Sequence, residues 1–189
     1  YSPLTMILWL ERFSKNAKNY ISRASNKIKR KDNYDFLRIY IDVIIQASIG
    51  KFFTYKFKAS ILWEYYLLSK NKQVGQEALS NYLKARNSWN VAAVISKKYY
   101  LPDLSYGPQS WLRGRWDDRL PAINQDINDM RNILFKNKYK YKKIKKDLEF
   151  IDYVKNWNND QNILVNHLPP KNYIKGEKIS LSCKININK

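Results

Sequence analysis

Two interleaved apolar stripes run through residues 34–70. Ile39, Val43, Ala47, Gly50, Phe53, Phe57, Ile61, Tyr65 and Leu68 step by three or four residues, and Ile41, Ile45, Phe52, Ala59, Leu62 and Tyr66 trace a parallel line. The spacing is helical, and two stripes predict a helix buried over much of its circumference. Unbroken, such a helix spans about 55 Å. Gly50 falls in its middle, where glycine costs about 1 kcal/mol relative to alanine. Close approach of a neighbouring helix is the first explanation, and a bend is the alternative.

The flanking segments supply further helices. Ser2 and Pro3 read as an N-cap and a first helical residue. Leu4, Ile7, Leu8, Leu10, Phe13, Ala17, Tyr20, Ile21, Ala24 and Ile28 then predict a helix over about 3–30, closed by the basic run 27–31. Asp32 or Asn33 can cap the second helix, and 71–75 reads as a turn. A third helix over about 74–98 carries a narrow face of Ala78, Tyr82, Ala85, Trp89, Ala92, Ala93 and Ser96, suited to tight packing on the second. Pro102, Gly107, Pro108 and Gly114 rule out a continuous helix across 99–119. A fourth helix is expected over about 121–148, through Ile123, Ile127, Met130, Ile133 and Leu134.

Beyond 156 the chain turns polar and reaches Pro169 and Pro170. Ile179, Leu181, Cys183, Ile185 and Ile187 then alternate with polar residues, as in a strand with one apolar face. A lone strand has no ladder partner. The expectation is therefore a mainly α chain: an antiparallel bundle of about four long helices over 1–155, a linker over 156–176, and over 177–189 the first strand of a truncated β-sandwich-like domain. Tyr1 in place of Met fits a missing N-terminal part. The open apolar face of the strand predicts poor solubility for the chain alone.

Six Trp, fifteen Tyr and seven Phe argue against disorder. No run of 18 uncharged apolar residues occurs, since even 39–68 is interrupted by Asp42, Lys51, Lys56, Lys58 and Glu64, so no membrane span is expected. With one Cys (Cys183) and one His (His167), the chain can form neither an internal disulfide nor a Cys/His zinc site. The net charge of +19 has two readings. One is a nucleic-acid binder. The other is AT-rich coding, which supplies Lys, Asn, Ile and Tyr together. The excess is 26 Lys against 9 Arg, which favours coding bias, because Arg makes the bidentate contacts a dedicated nucleic-acid surface uses.

Three places could carry chemistry. In loop 100–119, Asp103, Tyr106, Trp111, Arg113, Arg115 and Trp116 could hold a saccharide, rings stacking on sugar CH groups and charges pairing with hydroxyls. The plainer reading is a long loop pinned by Trp anchors and Asp–Arg pairs. Asp117 and Asp118 suggest the paired carboxylates of glycosidic chemistry, but adjacent acids ahead of a helix read better as caps. Lys136, Lys138, Lys140, Lys142, Lys143, Lys145 and Lys146, with Tyr139 and Tyr141 between them, could meet nucleic acid or an anionic surface; a solvated helix face is the alternative. His167 reads as a linker residue packing on the next domain. No Walker loop, dinucleotide fingerprint, His-Glu-x-x-His or nucleophile elbow is present, so no catalytic residue, cofactor or metal ligand is expected here.

The segments Gly50-Lys-Phe-Phe-Thr-Tyr-Lys-Phe-Lys-Ala59, Ala85-Arg-Asn-Ser-Trp89, Asp103-Leu-Ser-Tyr-Gly107 and Leu112-Arg-Gly-Arg-Trp-Asp-Asp-Arg-Leu-Pro-Ala122 resemble a helical region of large multidomain bacterial proteins of the glycoside-hydrolase type. The Ser2-Pro-Leu4 start and His167-Leu-Pro-Pro170 leading into a strand look similar to the same architecture. There the helical region sits between a catalytic domain and a β-sandwich. The resemblance implies carbohydrate processing by the whole protein, with the other domains of the same chain and polysaccharide or oligosaccharide as partners, and a secreted, periplasmic or cell-surface location. Where that architecture has Arg-Gly-His-Trp, this chain has Arg115 in the His position.

Overall fold

The computed structural model describes residues 2–29, 33–105, 107–109, 113–136, 145–157, 163–167 and 183–187. The chain divides into two compact units, 1–157 and 158–189.

The first unit is helical. Helix α1 (Pro3–Lys27) starts at Ser2, whose hydroxyl accepts the Thr5 amide at 3.2 Å. Helix α2 (Tyr34–Ser69) starts at Asn33, whose side chain accepts from Phe36 N, and ends at Lys70 in the left-handed region, with φ 56°. Helix α3 (Lys72–Tyr99) follows after one residue more, capped by Asn71. Strands β1 (Leu104–Ser105) and β2 (Arg113–Gly114) pair antiparallel, Leu104 with Gly114 and Ser105 with Arg113. A 3-10 turn, Asp117–Arg119, leads into α4 (Leu120–Lys136), and α5 (Lys145–Lys155) completes the unit.

The second stripe of α2 is its core face. Ile41, Ile45, Phe52, Ala59, Leu62 and Tyr66 are all buried. They meet the small-residue face of α3 in reverse order: Leu62 and Tyr66 against Val74 and Ala78, Phe52 and Ala59 against Tyr82 and Ala85, Ile41 and Ile45 against Ala92. Alanines on one side allow large residues on the other to fill the space between, and each buried large side chain contributes about 1.5–3 kcal/mol. Ile123, Ile127 and Leu134 of α4 join the same clusters. Tyr82 donates its hydroxyl to Asp126 at 2.5 Å, and Arg86 donates to Asn124 at 3.1 Å, fixing α4 on α3.

The first stripe behaves differently. Ala47 is buried, but Ile39, Phe53 and Leu68 are exposed, Leu68 at 84%. Val43, Gly50, Phe57, Ile61 and Tyr65 are half-buried, so this stripe is covered more lightly than the core face. α1 covers part of that side, where Ser14 packs on Gly50, and α5 covers Tyr65 through Phe150.

Where one long helix is expected over 121–148, the described residues form α4 of 17 residues and α5 of 11; residues 137–144 lie outside the described residues. α5 has its own anchor. Asp147, in its first turn and buried, accepts from the Tyr65 hydroxyl at 2.7 Å and from Asn71 Nδ2 at 2.8 Å. Phe150 stacks on Tyr65 at 4.2 Å, and Val154 enters the α2–α3 cluster.

In the second unit, β3 (Ile163–His167) pairs antiparallel with β4 (Cys183–Ile187), with Ile163 opposite Ile187 and His167 opposite Cys183. The terminal strand is thus not without a partner. Its partner comes from the 156–176 stretch read as linker, where Ile163, Leu164 and Val165 supply a short apolar run. His167 accordingly belongs to a strand. Residues 168–182, with both prolines and the start of the alternating segment, lie outside the described residues.

Two glycines make opposite predictions. A Cβ on Gly75 would stand 2.4 Å from Leu134 Cδ2 and 2.9 Å from the buried Tyr66 ring. Gly75→Ala is expected to lose about 1–2 kcal/mol by overpacking. A Cβ on Gly50 meets only the Ser14 hydroxyl, at 2.4 Å, before reaching ordinary contact distance, and that hydroxyl can rotate. Gly50→Ala is expected to be neutral or to gain up to about 1 kcal/mol. Urea unfolding followed by helical circular dichroism checks both.

Candidate functional site

Region 100–119 folds back on the helical unit. The Tyr100 hydroxyl donates to Asp42 of α2. Burial first, then this hydrogen bond, pushes its phenol up to about 12, so Tyr100 stays a donor at neutral pH. Trp89 of α3 donates its indole N–H to the carbonyl of Trp116 at 2.7 Å, and the two rings meet edge to face at 5.3 Å. Trp116 packs against the cluster of Ile41, Ile45 and Ala92.

The polar groups of the loop bind one another. Arg113 pairs with Asp103 at 2.5 Å, and Arg115 donates through Nε to the Pro102 carbonyl at 3.3 Å. Asp118 accepts the Arg115 amide at 2.6 Å, while Asp117 pairs with Lys97 at 3.4 Å. Gly114 carries φ 125°, which an L side chain rarely adopts, so the return of β2 depends on glycine. Beneath the loop lies a cavity of about 30 Å³ lined by Tyr100, Leu104, Arg115 and Trp116, room for a water or two rather than a sugar ring.

Of the six residues proposed from sequence as saccharide contacts, four are described. Asp103 and Arg113 are joined and roughly half exposed, Arg115 supports the loop backbone, and Trp116 turns toward the core. Tyr106 and Trp111 lie outside the described residues. Asp117 and Asp118 hold the turn ahead of α4 through a lysine and a backbone amide. Of the seven lysines in 136–146, Lys136, Lys145 and Lys146 are described and exposed, and Lys145 pairs with Glu149 at 3.7 Å on open surface. Lys138, Lys140, Lys142 and Lys143 lie outside the described residues. No group of three His, Cys, Asp or Glu among the described residues could hold a metal, and no described helix is long and apolar enough to cross a membrane.

Two surfaces along the α1–α2 seam escape a reading by segments. On one flank, hollows of about 430 and 310 Å³ run past Pro3, Met6, Phe57 and Ile61 and then Leu10, Phe13, Gly50 and Phe53. Phe13 is 58% exposed, and Met6 and Phe53 are also open. On the other flank is a groove of about 240 Å³ lined by Glu11, Ser14, Lys15, Lys18, Asn19, Lys51, Thr54 and Tyr55. Both join residues of α1 to residues of α2 that stand far from them along the chain. The only local signal was the surplus apolar stripe on α2.

No protein-family model, no curated protein and no solved structure matches this chain.

Proposed function

We propose that the chain is a non-catalytic accessory helical domain of a larger carbohydrate-active protein, docked on neighbouring domains of the same polypeptide. The observation that carries the reading is the apolar flank of α1 and α2. Met6, Phe13, Phe53 and the hollows between them form a strip that water alone would not favour. In the finer architecture of the proposal, α4 serves as the fourth helix of an antiparallel bundle, and β3 and β4 open a β-sandwich-like domain. Loop 100–119 then packs on a neighbouring domain or touches saccharide through Tyr106, Trp111 and the open side of the Asp103–Arg113 pair. The carbohydrate part of the reading rests on the sequence resemblance to multidomain glycoside-hydrolase-type proteins.

The test is the reading frame on both sides. It should continue upstream into strand–helix repeats and downstream into alternating strands. A frame that opens within a few residues of Tyr1 and stops after Lys189 sinks the proposal. The second reading, a nucleic-acid surface on 136–146, is favoured by the exposure of Lys136, Lys145 and Lys146. A gel-shift series with DNA and RNA at rising salt discriminates it from the first.

A further inference from the structure

We infer that the basic groove between α1 and α2 binds the phosphate monoester of a small ligand. Lys15 and Lys18 stand three residues apart on α1, hence on one face. Lys51 faces them from α2, one turn before Tyr55. Among the described residues, no carboxylate comes within ion-pair distance of any of the three ammonium groups. The one acid in the groove, Glu11, is already paired with Lys58 at 3.2 Å, and that lysine is largely buried. The groove therefore holds three positive charges that the protein itself leaves uncompensated.

The surroundings are polar donors rather than a greasy slot. Ser14, Asn19 and Tyr55 add a hydroxyl, an amide and a phenol to the lining. Burial, then Glu11, raises the Tyr55 phenol above its ordinary range, so it remains a donor. Burial, then the charge of Lys51, lowers the Lys18 ammonium below its ordinary range. A group held in that tension gains from an anion between the two helices. Gly50 contributes as well. Ser14 lies directly over it, where α1 and α2 approach each other beside the groove.

The chemistry favours phosphate over other anions. Three lysines and no arginine make point charges rather than a planar fork, so the groove selects by charge density. A phosphate monoester carries nearly two charges at neutral pH; a sulfate ester carries one. At about 240 Å³, eight times the cavity beneath loop 100–119, the groove also has room for part of the skeleton that bears the phosphate. This inference does not depend on the accessory-domain reading.

The test is calorimetric titration of the whole chain with glucose 6-phosphate, glucose 6-sulfate and glucose at low salt. Saturable binding of the phosphate is expected, at least about tenfold weaker for the sulfate, absent for glucose, and fading as salt rises. Lys51→Glu should abolish it and Lys18→Gln should weaken it about tenfold, while Lys145→Gln, outside the groove, should leave it unchanged. Without ligand, Lys18→Gln should raise the melting temperature by about 1–2 °C, because it relieves like-charge repulsion and burial of a charge. No saturable phosphate binding, equal binding of the two esters, or unchanged affinity in Lys51→Glu and Lys18→Gln each overturns the inference.

Discussion

Asp147→Ala is expected to destabilise the helical unit by about 3 kcal/mol, which for a chain of this size lowers its melting temperature by about 6–12 °C. Asp147 is buried where α5 meets the α2–α3 turn. Its two oxygens are divided between partners, Oδ1 accepting from the Tyr65 hydroxyl and Oδ2 from Asn71 Nδ2. Alanine removes both acceptors while the donors stay in place. An unsatisfied buried donor costs about 1–3 kcal/mol, which applies in full to the buried Asn71 amide and less to the half-buried Tyr65 hydroxyl. Asn71 raises the stakes, because its Oδ1 also caps α3 through the Gln73 amide at 2.9 Å. One side chain thus ties the cap of α3 to the start of α5. The double variant Tyr65→Phe with Asp147→Ala should cost less than the sum of the singles, since the phenylalanine leaves no orphaned hydroxyl. Urea unfolding followed at 222 nm reads both. A loss below about 0.5 kcal/mol for Asp147→Ala would show that α5 does not depend on this bridge.

The same residue marks the limit of what the sequence discloses. Ser2 and Pro3 announce α1 because capping chemistry is local, and the 3.6-residue period of α2 and α3 survives in the chain order. The choice between the two stripes of α2 was not local. Both are apolar at helical spacing, and only the arrangement of α1 and α3 decides that Leu62 is buried while Leu68 is exposed. Asp147 is less legible still. It lies just past a lysine run, and the partners that justify its burial are 82 and 76 residues away. A residue placed there looks like one more solvated charge on a long helix, and the sequence pattern predicts a single element over 121–148. The basic groove fails for the same reason, with Lys18 and Lys51 brought together only once α1 lies on α2. By contrast, Asp103 and Arg113 did signal an Asp–Arg pair, because they meet across a short hairpin.

Trp89→Ala should cost the helical unit about 3–5 kcal/mol. Trp89 stands at the junction of two clusters. Its ring meets Phe52 at 4.9 Å in the α2–α3–α4 core and Trp116 at 5.3 Å beside Ile41 and Ile45. Truncation opens a cavity between them, and the cost rises with the volume that cannot collapse. It also removes the donor that holds the Trp116 carbonyl, so the segment that turns the chain from β2 into α4 loses its attachment to α3. Trp89→Phe separates the two contributions. Phenylalanine keeps an aromatic edge against Phe52 and Trp116 but has no N–H, so its loss should stay near 1–2 kcal/mol and fall mainly on the loop. Hydrogen exchange resolved by residue tells them apart. Trp89→Phe should speed exchange at the Arg115 and Asp118 amides while leaving the middle of α2 protected; Trp89→Ala should lower protection in both. If both variants weaken α2 and spare the loop, Trp89 is a core residue alone. The pinning of 100–119, which directs the open Asp103–Arg113 pair outward, would then have to come from Tyr100 and Asp42.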